Sequence, residues 1–426
     1  MHHTHLIFLF LQLGCLGAAQ ARICTVHAAG NGTDDAPAIL AAFADCGKGG
    51  KVVLPSANYT IAQPMTTHME GGSFDLHGYL SFTPDIDYWI ANSYRFPFQN
   101  LSIGWHITGS DFVVDGHGTG GVFGNGQVWY SWARGAGNLF GRPMSVSITN
   151  ATRAVVKNFK IIQPQFWASL VWNSTDILLT DFYVNATNMD PAAGGVNWVQ
   201  NTDGSDTYQS KRITYQNWVY QGGDDCIAFK PNSTQITVRN VSCTSLNGMT
   251  FGSIGQYPDS FDILQDIFIE DVVVQNHPDA ELEGGGPYSA QLDGGAYFKS
   301  WIGVDVGTPP NGGGGGRGYC KNVTIRNLHI INATVPLLLT SELTYSQLNA
   351  TYANTSTFVW DDIHFYNVTG TSNTGQVIDF ECSTAAPCSG WSFTDMNLTP
   401  AGGAATRGDT VCHNFFNYTG LPQCTA

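Results

Sequence analysis

Three aspartates in two short glycine-bearing motifs carry the strongest chemical signal in this chain. Asp203 lies in NTDG at residues 201–204, and the adjacent Asp224 and Asp225 lie in GGDDC at 222–226. Charged residues are only 12% of the 426, so acids gathered this way stand out. If the two motifs share one face, three carboxylates meet and cannot all ionise cheaply. At least one pKa rises, and that group keeps its proton near neutral pH. A protonated carboxyl beside an ionised one supplies a general acid and a general base, the pair that cleaves glycosidic bonds. Any one aspartate alone reads as a turn former, and the set also suits a calcium ion. Gly222 and Gly223 favour chemistry, because glycines let other groups approach the backbone closely.

Positioning the aspartates requires a repeat, and one is present. A short alternating run, then Asn or Asp, then a second apolar run recurs as ATRAVVKNFKI from Ala151, STDILLTDFYV from Ser174, SKRITYQNWVY from Ser210, STQITVRNVSC from Ser233, LQDIFIEDVVV from Leu264 and CKNVTIRNLHI from Cys320. Consecutive copies often start about 23 residues apart, within the range of stacked repeats. Each holds two period-2 runs and no helical stretch, which predicts an all-β solenoid, a parallel β-helix. Its coils stack about 4.8 Å apart, so residues one repeat apart become neighbours, and Asp203 comes beside Asp224 and Asp225.

The solenoid's first edge needs a cover. Asp34 and Asp35, good N-cap and first-turn residues, precede APAILAAFADC, which reads as a short N-terminal capping helix running to Cys46. The stretch from about Asn276 to Tyr319 breaks the repeat, contains GGGGG at 312–316 and reads as two long loops flanking AYFKSW. Loops on a rigid scaffold commonly carry binding.

A hydrophobic share of 43% is ample for a large core, and no interdomain linker is evident, so residues 22–426 read as one domain. The net charge of −15 argues against nucleic acid or an anionic membrane as partner. An anionic polymer stays compatible at acidic pH, where the carboxylates lose charge. Residues 1–21 read as a signal peptide, with an apolar run from Leu6 to Ala19 and an A-x-A-like end at Ala19 to Ala21. A secreted, extracellular, monomeric protein is expected, glycosylated at sequons such as Asn31, Asn58, Asn185 and Asn367. Proximity in sequence pairs Cys24 with Cys46, Cys226 with Cys243, Cys382 with Cys388 and Cys412 with Cys424, leaving Cys320 as a buried thiol. No C-x-x-C spacing suggests zinc, and neither a metal nor a cofactor is indicated.

The motifs NTDG, GGDDC and GSIG at 252–255, with DGHG and GNGQVWYSW between Asp115 and Trp132, resemble glycoside hydrolase family 28. The likeness runs from Asn31 past Cys412. It implies a right-handed parallel β-helix and inverting hydrolysis of a carbohydrate of the plant cell-wall pectin type or of a rhamnoside. Asp224 would be the general acid, with Asp203 and Asp225 orienting or activating water. Backbone spacing suggests carboxylates closer than the usual separation in inverting enzymes.

Two positions depart from the family pattern. Asn247 stands where a histidine is usual, and Tyr297 replaces the arginine of an Arg-Ile-Lys triplet whose Lys299 is kept. A tyrosine cannot make the paired hydrogen bonds an arginine offers to a carboxylate, so galacturonate should bind less well and a neutral deoxy sugar should suffer less. Asn201, Asn247, Tyr297 and Lys299 are candidate substrate-binding residues. Tyr257 and Trp301, with Trp129 and Trp198, are candidates to stack on sugar faces, though each reads equally well as packing. DDCIAFKPNST, GSIGQY and the glycine-rich insertion resemble the fungal exo-acting branch. Within it, Tyr297 and Asn247 favour an α-L-rhamnosidase or rhamnogalacturonan-type exo-hydrolase over an exo-polygalacturonase releasing galacturonate. Two rival readings are a calcium-dependent pectate lyase and a non-catalytic sugar-binding β-helix.

Overall fold

The computed structural model describes residues 22–275, 293–345, 349–400, 410–421 and 424. The proposed leader at 1–21, and residues 276–292 of the first predicted loop, lie outside them. Twenty-five strands join edge to edge into one coiled sheet from Ile23–Thr25 to Thr410–His413, a right-handed parallel β-helix. Every pairing within that coiled sheet is parallel, as a solenoid requires.

The recurring Asn or Asp of the repeat has a physical role. Asp181, Asn217, Asn240, Asp271, Asn327 and Asn367 all have φ between 52° and 59°, the left-handed region that Asn and Asp tolerate best among side-chain-bearing residues. Each bends the chain between its two short runs, and the side chains hydrogen-bond up the stack. Asn240 donates to Asn217 at 2.7 Å, and Asn217 donates to Asp181 at 2.9 Å. The repeat length is 23 residues between Asn217 and Asn240 but 36 between Asp181 and Asn217, and 56 between Asp271 and Asn327. The longer steps hold the loops that frame the site.

Inside, aromatic side chains stack coil upon coil. Phe251 lies 4.3 Å from Phe298, centroid to centroid and nearly parallel, with Phe229 at 5.0 Å on the other side. The capping helix forms as expected, Ala36–Cys46, burying Ala36, Ile39, Ala42, Phe43 and Cys46 along one face. Asp35 occupies the N-cap but its side chain does not cap. It accepts from the amides of Ala29 and Thr60 instead, tying the helix entry to the first coils. Four disulfides pair the cysteines as proximity suggests, and Cys320 is a buried free thiol.

Candidate active site

The site stands on the outward face of the sheet built by Ser169–Trp172, Ser205–Tyr208, Asp225–Phe229, Asn247–Ile254 and Gly294–Trp301. Because side chains alternate across a strand, the residue before each inward phenylalanine faces outward. That row reads Asp206, Ala228, Thr250, Tyr297 on successive coils. Asp203 precedes the first of these strands, and the Gly204 amide donates to the Asp225 carbonyl at 3.0 Å. Asp203, Asp224 and Asp225 thus gather at one place. One oxygen from each lies within 4.8 Å of the others.

Each carboxylate has a distinct setting. Asp225 is 1% exposed. It accepts hydrogen bonds at 2.9 Å from the Asn247 amide and the Thr250 hydroxyl, and Lys299 reaches both its oxygens at 3.1 and 3.2 Å. Lys230 stands 3.8 Å away on the other flank. Burial alone would raise this carboxyl, but Lys299 and Lys230 outweigh it and hold Asp225 below the usual range. Asp224 is the only partly exposed member of the three. The Asn201 and Asp225 amides donate to its two oxygens at 2.9 and 3.0 Å. Burial and the Asp225 charge raise it nonetheless. Asp203 is 2% exposed with one oxygen unpartnered, and burial together with Asp224, Asp206 and Asp225 raises it well above the usual range. The cluster therefore combines one carboxyl held low, Asp225, with two held high, Asp224 and Asp203.

Further charged groups, not anticipated from the sequence, complete this electrostatic frame. Asp206 lies 3.3 Å from the Lys230 ammonium, and burial pushes its carboxyl up to about 8. Lys230 also donates to the Gly252 carbonyl at 2.9 Å and sits 5.1 Å over the Trp167 ring. Arg142, 1% exposed, donates from Nε to the Gln165 carbonyl at 2.9 Å, while its two terminal nitrogens have no partner. Burial lowers it to about 10, against the opposing charges of Tyr130, Asp224 and Asp203. Asp206 was legible as the second acid of NTDGSD, and Lys230 as the end of DDCIAFK; both fall on the strand face that carries the motifs. Three carboxylates could hold a cation, but Lys299 and Lys230 already supply positive charge to Asp225.

The candidate binding residues divide. Asn201 positions Asp224, and Asn247 positions Asp225. Tyr297 is half-buried, with the Lys299 ammonium 5.0 Å over its ring. Trp301 and Trp129 are fully buried and Trp198 is 7% exposed, so these three pack within the fold and offer no sugar platform. Trp301 instead abuts Tyr345, which is 46% exposed, at 5.2 Å. Tyr345 thus presents an exposed ring over the buried Trp301.

Four loops meet around the site. Gln99 donates to Gln256 at 2.6 Å, and Gln256 donates to the Pro310 and Gly312 carbonyls at 2.9 and 2.8 Å. Tyr257, expected to bind sugar, accepts at its hydroxyl oxygen from the Gln99 backbone amide at 2.7 Å and so belongs to this clasp. Asn138 donates to Asn311 at 3.1 Å, and its own amide donates to Asn201 at 2.6 Å. The glycine run makes this possible. At Gly314, φ is +151° and a Cβ would lie 2.0 Å from the Val304 carbonyl oxygen.

The family model for Glycosyl hydrolases family 28 matches residues 51–280 and 303–419. The chain belongs to this family. It is an O-glycosyl hydrolase of the polygalacturonase type. Two relatives, from Aspergillus flavus and Aspergillus niger, carry the provisional name galacturan 1,4-alpha-galacturonidase A. Each is 47% identical, over 92% of both chains for the first, and over 94% of this chain and 92% of its own for the second. Alpha-L-rhamnosidase rgxB of Aspergillus niger is 34% identical, over 95% of this chain and 90% of its own. Among solved structures, endo-xylogalacturonan hydrolase from Aspergillus tubingensis matches with a TM-score of 0.73 at 20% identity, over 95% of this chain and 99% of its own, which establishes the fold.

Proposed function

We propose that this family 28 hydrolase is an exo-acting galacturonidase that removes terminal galacturonate from galacturonan with inversion. The observation that carries the substrate is the 47% identity to the two galacturonidase-named relatives, against 34% to the rhamnosidase. The rhamnose reading rested on Tyr297 in place of an arginine and Asn247 in place of a histidine. Lys230 and Arg142 return positive charge to the site, so that loss does not argue for a neutral sugar.

The roles follow from accessibility and charge. Asp224, partly exposed and raised by burial, donates its proton to the glycosidic oxygen as that bond breaks. Asp225, kept ionised by two lysines, takes a proton from the attacking water, and Asp203 orients that water. A single water donating two hydrogen bonds of about 2.8 Å, its O–H bonds about 105° apart, spans carboxylate oxygens about 4.4 Å apart. The 4.8 Å limit within the cluster therefore accommodates it between Asp203 and Asp225. An Asp224 oxygen lies within the same 4.8 Å, so inversion is proposed here from the family resemblance and not from the separation of acid and base. The clasp of Gln99, Gln256 and residues 310–312 supports exo action, since a closed end admits a chain terminus and not a chain interior.

We also propose that the protein is exported and acts as a monomer. The apolar run from Leu6 to Ala19 and four disulfides suit an oxidising exterior. One chain supplies every charged group of the cluster. Among the described residues no helix is long and apolar enough to cross a membrane.

Incubation with polygalacturonate, rhamnogalacturonan oligomers and an aryl α-L-rhamnoside, with the released monosaccharide identified, tests the substrate. Galacturonate from polygalacturonate is expected; release of rhamnose alone would return the reading to the rhamnosidases.

A further inference from the structure

The stretch DGHG at 115–118 has a counterpart in the preceding coil, DLHG at 75–78, and the fold lays one on the other. Asp75 pairs with Asp115 in the parallel ladder, so His77 and His117, each two residues on, meet one coil apart. Their imidazoles stack 4.2 Å apart at 9°, both exposed. A nitrogen of each and an oxygen of Asp75 lie within 4.8 Å of one another. The row continues from Asp115 to Lys157 and Thr180, on strands other than those that carry the catalytic cluster.

We infer that Asp75, His77 and His117 form a binding site for a borderline divalent cation of the Zn2+ class. Two imidazole nitrogens and one carboxylate oxygen are a zinc donor set, whereas Ca2+ and Mg2+ require oxygen throughout. Ligands on a tetrahedral ion with bonds of about 2.1 Å lie about 3.4 Å apart. His117 Nε2 already lies 3.6 Å from an Asp75 oxygen, and both histidine rings are exposed, with room to turn toward an ion. Asp115 serves behind the ligands. It accepts from the His117 amide at 2.8 Å and from Asn158 at 2.9 Å, fixing the turn that presents His117. Two lysines are the competitors. Lys51 is ion-paired with Asp75, and Lys157 lies 3.1 Å from Asp115. Both are 39% exposed in their side chains, free to swing toward solvent when the ion enters. A bound ion would staple two early coils together, next to the helix-capped end of the solenoid.

Isothermal titration of the full chain with ZnCl2 tests this, against the variant His77→Ala/His117→Ala and the single variant Asp75→Asn. Other exposed histidines, His27 and His68 among them, offer competing nitrogens in every protein, so the difference between titrations is the readout. The double variant should lose one Zn2+ equivalent, and Asp75→Asn should weaken that site about tenfold or more. Wild type should gain about 3 °C in Tm at Zn2+ about 100-fold above Kd, and the double variant should not. Because both histidines are exposed, the apo variants should keep the wild-type near-UV spectrum. Identical stoichiometry and affinity in all three proteins, or a thermal shift equal in wild type and double variant, would overturn the assignment.

Discussion

The Lys299 ammonium lies 3.1 and 3.2 Å from the two oxygens of Asp225, although 74 residues separate the pair in sequence. A solenoid achieves this by pairing Asp225 with Asn247, and Gly252 with Lys299, on successive coils. The contact lowers the pKa of the carboxyl proposed to accept a proton from water.

Lys299→Met should therefore alter the pH profile and not only the rate. Removing the cation raises Asp225, so the acid limb of kcat should move up by about 1 to 3 pH units. A rate measured from acid to neutral pH checks this; a uniform loss at every pH would show that Lys299 does not tune the base.

Asp203→Asn should separate stability from activity. The Asp203 carboxyl is raised in the folded chain by burial and by three neighbouring acids. A carboxyl raised above its unfolded value favours folding most at low pH, and that advantage is lost as pH climbs from about 4 through the folded pKa. A neutral amide escapes that loss. The variant should melt higher than wild type by about 1–3 kcal/mol of stability at about pH 8, match it at about pH 4, and be nearly inactive. Thermal melts at the two pH values decide; a variant that melts lower at both would show that Asp203 is held by bonds an amide cannot make.

Gln256→Ala should loosen the clasp, since this one side chain accepts from Gln99 and donates to Pro310 and Gly312. Chromatography of polygalacturonate digests should then show short oligomers beside the monomer. An unchanged monomer-only pattern would mean that the clasp does not set exo action.

Much of this was legible in the sequence for a reason visible in the fold. The period-2 runs and the left-handed Asn and Asp of each coil are local features, so the repeat exposes them directly. From the repeat alone, Asp203 could be brought to Asp224 and Asp225. What failed was anything depending on side-chain depth. Trp301, Trp129 and Trp198 look like sugar platforms by type, yet the coils bury them, while the exposed Tyr345 sits in an irregular stretch that no repeat frames. The preference for rhamnose came from Tyr297 and Asn247 and did not weigh the positive charge of Lys230 and Arg142 near the acids. Arg142 lies outside the repeat, and only the tertiary fold brings it to the acids.

In the proposed reaction Asp224 protonates the linkage while Asp203 and Asp225 deliver water directly to the anomeric carbon. Proton NMR of the first galacturonate released from a galacturonate oligomer tests it most directly. The β-anomer should appear first and then mutarotate; α-galacturonate as the first product would contradict the single-displacement mechanism and the water held between Asp203 and Asp225.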